Sequence, residues 1–190
     1  MTTNEIEQLL EGGTETQRID FKESCAWDVE KFAKDFLAFS NVRDGGYIII
    51  GVNELESPQR FERAGISGKD RNSYKIDTMR DQMTAYADPH VNFNVDFPKD
   101  KSGTEYAVIH VFEFEEIPVI CRKDGRDTKR AIVYYRNRDR RWESAAVSNS
   151  YDMRDIVERS AVKLERRHAA LGLVPGGVPT QEEYIDGIEG

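Results

Sequence analysis

The sequence predicts an α/β (α+β) domain, a single mixed sheet with helices on both sides. Three observations carry this reading. Between Asp28 and Asn41 apolar side chains recur at helical spacing; Tyr47 to Val52 (YIIIGV) is a nearly unbroken run rich in β-branched residues; and a series of short β-like runs precedes one last long helical pattern. The predicted order is helix, strand, helix, strand, helix, four strands, helix.

Residues 4–10 read as a short helix and residues 18–22 (RIDFK) as a strand. In the next helix, Val29, Phe32, Ala33, Phe36, Leu37 and Ser40 follow i, i+3, i+4, i+7, i+8, i+11, with acids in the first turn. Gly45-Gly46 ends the connection to YIIIGV, whose continuous apolar character is that of a central strand covered on both faces, with Asn53-Glu54 at its C-terminal end. Residues 55–70 read as loop with a short strand, because Ser57-Pro58 and Gly65 to Gly68 interrupt any period. Ile76, Met79, Met83 and Tyr86 mark a helix over residues 72–87, closed by Asp88-Pro89. Strands are expected at 91–97, 106–114, 118–122 and in AIVYYRN (131–137), with KDKSG and KDGRDTKR as hairpin loops. Ser148-Asn149-Ser150 can cap a final helix over residues 151–171, with Met153, Ile156, Val157 and Leu164 on one side. The domain is therefore expected to span 1–171, and residues 172–190, rich in Gly, Pro and acid, to form a flexible tail.

At 190 residues the chain suits one domain, large enough to bury roughly 70% of the surface that the unfolded chain exposes. Its two cysteines, Cys25 and Cys121, form no CxxC pattern, so neither a disulfide framework nor a structural zinc site is indicated. The first residues carry acids rather than a basic region and an apolar run, and no segment approaches the roughly 18 consecutive apolar residues of a membrane span. The expectation is a soluble, cytoplasmic protein with no membrane partner. Neither GxGxxG nor a phosphate-binding loop nor a GxSxG elbow is present, and His90, His110 and His168 are scattered.

Net charge is −8, yet residues 122–141 carry nine Lys or Arg against three Asp, a local +6 that leaves −14 on the remainder. Such a segment is either a solvated hairpin balanced by neighbouring carboxylates or an electrostatic footprint for phosphates. Tyr134, Tyr135 and Trp142, interleaved with the arginines, favour the second reading. The candidate nucleic-acid contacts are Arg122, Lys123, Lys129, Arg130, Arg136, Arg138, Arg140 and Arg141.

Glu15 and Asp20 pose a geometric question. Five residues apart, they would point to opposite faces of a strand, roughly 16 Å from each other, and on a helix they would sit about 140° apart. They can converge only if Glu15 lies on a turn and Asp20 on the strand after it, which Gly12-Gly13 makes possible.

The stretches ETQRIDFK, FLAFSNVRDGGYIIIGVNE and IVYYRNRDRRWESA, in this order, resemble the three sequence blocks of the Schlafen-type divergent AlbA domain. Those blocks are an E-x4-E-F-K element, an AFANT-x-GG element leading to a hydrophobic strand, Gly-Val and an acid, and a Y-x-R element before a helix. The resemblance covers residues 14–165 or so and implies that Glu15, Asp20 and Glu54 form a three-carboxylate site. Asp20 stands where Glu is usual. In the family such a cluster is associated with a divalent metal, Mg²⁺ or Mn²⁺, and with cleavage of transfer RNA or other structured RNA. Like-charge repulsion among three acids is a physical reason for a cation there. The implied reading is a metal-dependent endonuclease acting on RNA, or on DNA, with Lys22 steadying the phosphate. The alternative is a non-catalytic nucleic-acid- or nucleotide-binding regulator within a larger defence complex. Because Schlafen cores resemble two copies of this domain around a groove, the resemblance also implies a homodimer.

Overall fold

Alternation along the central strands decides which helix covers which face of the sheet. The computed structural model describes residues 1–56, 59–137 and 142–173. Its elements are α1 (Thr3–Glu11), β1 (Ile19–Lys22), α2 (Val29–Ser40), β2 (Gly46–Ile50), β3 (Val52–Glu56), β4 (Gln59–Arg63), α3 (Gly68–Arg71), α4 (Ile76–Thr84), β5 (Ala87–Asp88), β6 (Phe93–Asp96), β7 (Ala107–Val111), β8 (Ile120–Cys121), β9 (Tyr134–Arg136), β10 (Ser144–Ala146) and α5 (Ser150–Ala170). The main sheet has the order β1-β2-β7-β6, with β1 parallel to β2 and the other pairs antiparallel. It is a mixed sheet, as the sequence predicts.

Ile48 and Ile50 of β2 point to one face with Ala107, Ile109 and Val111 of β7, and α2 covers them with Phe32, Phe36 and Phe39, all fully buried. Each such ring is worth roughly 1.5–3 kcal/mol of burial. Ile49 points the other way, joining Phe21, Val52, Tyr106 and Val108, and α1 closes that face with Ile6 and Leu10. A capping box starts α1: the Thr2 hydroxyl accepts from Glu5 N (3.3 Å) while the Glu5 carboxylate accepts from Thr2 N (2.6 Å). Asp28 caps α2, accepting from Glu30 N at 3.0 Å. The close approach of α2 to the sheet requires Gly46, where a Cβ would lie 2.1 Å from the Phe39 ring.

YIIIGV is not one strand. Gly51 adopts φ +112°, with its carbonyl accepting from Ala64 N and Gly65 N at 3.0 and 2.7 Å, and a Cβ there would sit 2.6 Å from the Gly65 backbone. That kink separates β3 from β2 and sends it into a hairpin with β4, in register Val52↔Arg63 to Glu56↔Gln59. The stretch read as loop with a short strand, residues 55–70, holds the end of β3, all of β4 and the start of α3. A second hairpin, β9–β10, lies on α2, and its β10 (SAA) carries no β-branched signal by which sequence could find it.

The final helix begins at the expected cap, Asn149, whose side chain accepts from Asp152 N at 2.8 Å. Its docking differs from the expected apolar stripe: Ile156 is buried, but Met153 and Val157 are 40% and 54% exposed. Polar contacts hold α5 instead. Arg159 reaches Glu113 (2.5 Å) and the Asn41 carbonyl (2.5 Å), and Lys163 donates to the Phe114 carbonyl at 2.8 Å. Among the described residues no helix is long and apolar enough to cross a membrane. Most of the expected tail, residues 174–190, lies outside the described residues.

Candidate functional site

The turn that the Glu15–Asp20 spacing demands is present. Thr16 and Ile19 exchange backbone hydrogen bonds (3.1 and 3.3 Å), so the chain reverses over Gln17-Arg18 and Glu15 folds back along β1. Its carboxylate accepts from Phe21 N at 3.0 Å. On β1, Asp20 and Lys22 share a face because they are two apart, and that face is the one covered by α2.

There they enter a buried ionic group. Lys22 Nζ lies 2.9 Å from Asp20 Oδ2 and 2.9 Å from Asp35 Oδ2, Asp35 being contributed by α2. Arg136 of β9 approaches the other oxygen, Asp20 Oδ1, at 2.9 Å, and donates to the Thr16 and Ile19 carbonyls at 3.2 Å each. Its guanidinium sits 4.9 Å from the Phe39 ring centroid. Exposure is 6% for Asp20, 7% for Asp35 and 1% for Arg136, so these charges meet one another rather than water. Burial would lower the Lys22 ammonium, but Asp35 and Asp20 outweigh it and hold it above the ordinary lysine range. For Asp35, burial pushes upward and is overcome by Lys22, the Ser144 hydroxyl and Arg136, leaving it below the usual carboxylate range.

Glu15 is the exception. Burial first, and the neighbouring Asp20 second, push its carboxyl up to about 7 from an ordinary 4.5. The sign of the consequence is fixed. Below pH 4.5 Glu15 is protonated in both folded and unfolded chains, whereas between 4.5 and 7 only the unfolded chain ionises, so the fold loses stability as pH rises through that window. Glu15→Gln is expected to match wild type at pH 4 and to exceed it by about 1 kcal/mol at pH 8, after allowance for solvent screening of this half-buried group. Urea midpoints at the two pH values read the difference directly; an equal gap at both would remove Glu15 as its source.

Of the three acids the sequence singles out, Glu15 and Asp20 come together, while Glu54 lies exposed on β3, in register with Phe61 of β4. Among the described residues no three His, Cys, Asp or Glu side chains form a metal-ligating group. Asp20 Oδ1 accepts a hydrogen bond from Arg136, and Oδ2, which has no hydrogen-bond partner among the described residues, is ion-paired with Lys22, so cations of the chain itself lie against both oxygens. The residues present therefore do not fit a three-carboxylate metal centre.

The basic segment divides as well. Arg122, Lys123, Lys129 and Arg130 are exposed on the connection between β8 and β9. That connection has a defined backbone: Ala131 N donates to the Cys121 carbonyl (2.7 Å), Gly125 N to the Thr128 carbonyl (3.0 Å), and Lys129 N to the Tyr134 hydroxyl (2.8 Å). Lys123 Nζ rests 5.0 Å from the Tyr86 ring centroid. Arg136 does not belong with them: strand pairing and α2 bury it completely, and its charge is spent on Asp20. Arg138, Arg140 and Arg141 lie outside the described residues.

Sequence reading misses Asp35 and Asn41. Asp35 had a visible signal, since it shares a helical face with Phe32, Phe36 and Phe39, where a lone acid needs a buried partner. Asn41, fully buried after the last turn of α2, donates to the Leu37, Val119 and Tyr134 carbonyls (3.1, 2.8 and 3.0 Å) and accepts from Val119 N at 2.9 Å.

The family model described as Schlafen, AlbA_2 matches residues 15–143. No curated protein matches the chain. Among solved structures, the N-terminal domain of an ATP-dependent DNA helicase RecG-related protein from Nitrosomonas europaea aligns with TM-score 0.51 and 17% identity, over 68% of this chain and 86% of that one. The DIP2311 protein of Corynebacterium diphtheriae aligns with TM-score 0.49 and 16% identity over 80% of this chain, which spans only 27% of that protein.

Proposed function

The chain belongs to the Schlafen, AlbA_2 family, and from that premise we propose that it is a nucleic-acid-binding domain whose β8–β9 connection holds the phosphate backbone. The observation that supports this most directly is that Arg122, Lys123, Lys129 and Arg130 lie exposed on one hydrogen-bonded loop of an acidic chain, beside Arg126, which is paired with Asp28 and Asp127. Ordered cations lose less conformational freedom when they meet phosphates than cations on a floppy segment do. Backbone contacts of this kind position the chain without reading sequence.

The test is a salt titration of binding to a labelled RNA hairpin and to a DNA duplex, with wild type beside Lys129→Ala/Arg130→Ala. Both residues are exposed, so the variant should fold normally. It is expected to bind several-fold more weakly to unrelated sequences and to flatten the slope of log affinity against log salt by about 1.5–2. An unchanged slope would return the loop to a solvated hairpin. The two ligands separate RNA, the ligand the family resemblance favours, from DNA. Hydrolysis of the bound phosphodiester is a second reading, favoured by the meeting of Glu15 and Asp20 beside Lys22. The same mixtures run on a denaturing gel, with Mg²⁺ or Mn²⁺ and with Glu15→Gln as control, read it out: cleavage by wild type that the variant loses would carry it.

A further inference from the structure

We infer that Lys22 is the resident cation of the buried acid group, its ammonium occupying the place between Asp20 and Asp35 that a divalent ion would otherwise take. The inference concerns charge compensation inside the fold and stands whether or not the chain binds nucleic acid.

Geometry carries it. Lys22 Nζ is equidistant, at 2.9 Å, from one oxygen of Asp20 and one of Asp35, so the ammonium bridges two carboxylates from two different elements, β1 and α2. Two buried carboxylates facing one another repel unless a cation lies between them. Lys22 supplies that cation, and Arg136 neutralises the second oxygen of Asp20 at 2.9 Å. Asp20 and Asp35 are thus matched by Lys22 and Arg136, with Glu15 beside them held towards its neutral form. A separation of 2.9 Å is that of an ammonium–carboxylate ion pair, whereas Mg²⁺ needs oxygens at about 2.0–2.1 Å; among the described residues Asp20 Oδ2 has this ion pair and no hydrogen bond. For a metal to enter, the carboxylates would have to close in and a partly buried, doubly paired ammonium would have to leave. The side chain has little freedom to do so, with Nζ also 5.8 Å from the Phe32 ring centroid.

The inference makes a gain-of-function prediction. Lys22→Ala removes the cation and leaves Asp20 and Asp35 across a gap of ammonium size, with Glu15 close to Asp20. Mn²⁺ titrated into each protein and followed by electron paramagnetic resonance of the free ion should show no site tighter than millimolar in wild type. In Lys22→Ala it should show one ion per chain, bound at least tenfold more tightly. The melting temperature of the variant should rise with Mn²⁺ while that of wild type stays put. If wild type binds one Mn²⁺ at micromolar concentration and Asp20→Asn abolishes it, the inference is wrong. A folded Lys22→Ala protein that takes up no Mn²⁺ also overturns it. Should that variant not fold, the wild-type protein decides the matter through its lysine ammonium resonances in ¹⁵N-labelled protein at pH 7.5. A slowly exchanging Lys22 signal unmoved by 10 mM Mg²⁺ sustains the inference, and its loss or shift refutes it.

Discussion

Arg136→Met is expected to lower the stability of the folded chain by about 3–5 kcal/mol, the range for breaking one side of a buried ion pair. The guanidinium is 1% exposed and holds three groups at once: Asp20 Oδ1 at 2.9 Å and the Thr16 and Ile19 carbonyls at 3.2 Å each. Methionine keeps much of the volume against Phe39 but returns nothing to those oxygens. Asp20 would then face Lys22 alone, and two backbone carbonyls beneath the Glu15 turn would lose a donor. The penalty is chiefly that of an uncompensated buried anion, so it should shrink when the anion is removed as well. Chemical denaturation of Arg136→Met, Asp20→Asn and the double variant forms a closed cycle, and the double variant should be less destabilised than the sum of the singles by 1 kcal/mol or more. Additive effects would mean that the arginine acts through packing on Phe39 and not through Asp20. Because Arg136 is interior, its loss should also leave the salt slope of nucleic-acid binding unchanged in the folded fraction, unlike loss of Lys129 and Arg130.

What the sequence made legible was local. The apolar spacing of α2 announces the helix because it is written within a few turns of chain, and β2 is announced by isoleucines that are buried on both faces. Spacing set only the condition, that Glu15 and Asp20 could meet across a turn and in no regular element, and the turn is there. What stayed hidden depends on residues distant in the chain. Arg136 reads as one more arginine in a basic run until β9 is laid on α2, 116 residues away from its partner Asp20. Glu54 reads as the end of a central strand until the Gly51 kink turns β3 into a separate hairpin. Charge counted along the sequence places nine cations together; among the described ones the fold sends Arg136 inward as a counter-ion and leaves five outside. The same step separates two groups that the sequence merges: Arg136, which joins the internal acids, and the exposed β8–β9 cations, which are the proposed contact with phosphate.

Asn41→Ala is expected to cost about 3 kcal/mol, a large effect for a side chain that touches no candidate ligand. Its amide is where α2, the strand β9 and the segment before β8 are tied together: the nitrogen donates to the Val119 and Tyr134 carbonyls and the oxygen accepts from Val119 N. Alanine leaves Val119 N without that acceptor and two carbonyls without that donor, all in a region closed to water, and each such buried group costs roughly 1–3 kcal/mol. Part of this is recovered by relaxation of the surrounding groups, which is why the sum is not taken at its upper end. Asn41→Asp distinguishes hydrogen bonding from volume, because it is nearly isosteric yet sets a carboxyl oxygen against two carbonyl oxygens. At neutral pH it should be more destabilising than alanine, since the fold must either bury an unpaired anion or keep the acid protonated. In either case the folded-state carboxyl is raised above its unfolded value of about 4, so the defect should deepen as pH climbs from 4 towards 7. Urea denaturation of both variants at pH 4.5 and 7.5 measures this: the alanine defect should hold nearly constant and the aspartate defect should grow. An aspartate variant as stable as wild type at pH 7.5 would show that the amide proton, and with it the tie between α2 and β9, contributes nothing to the fold.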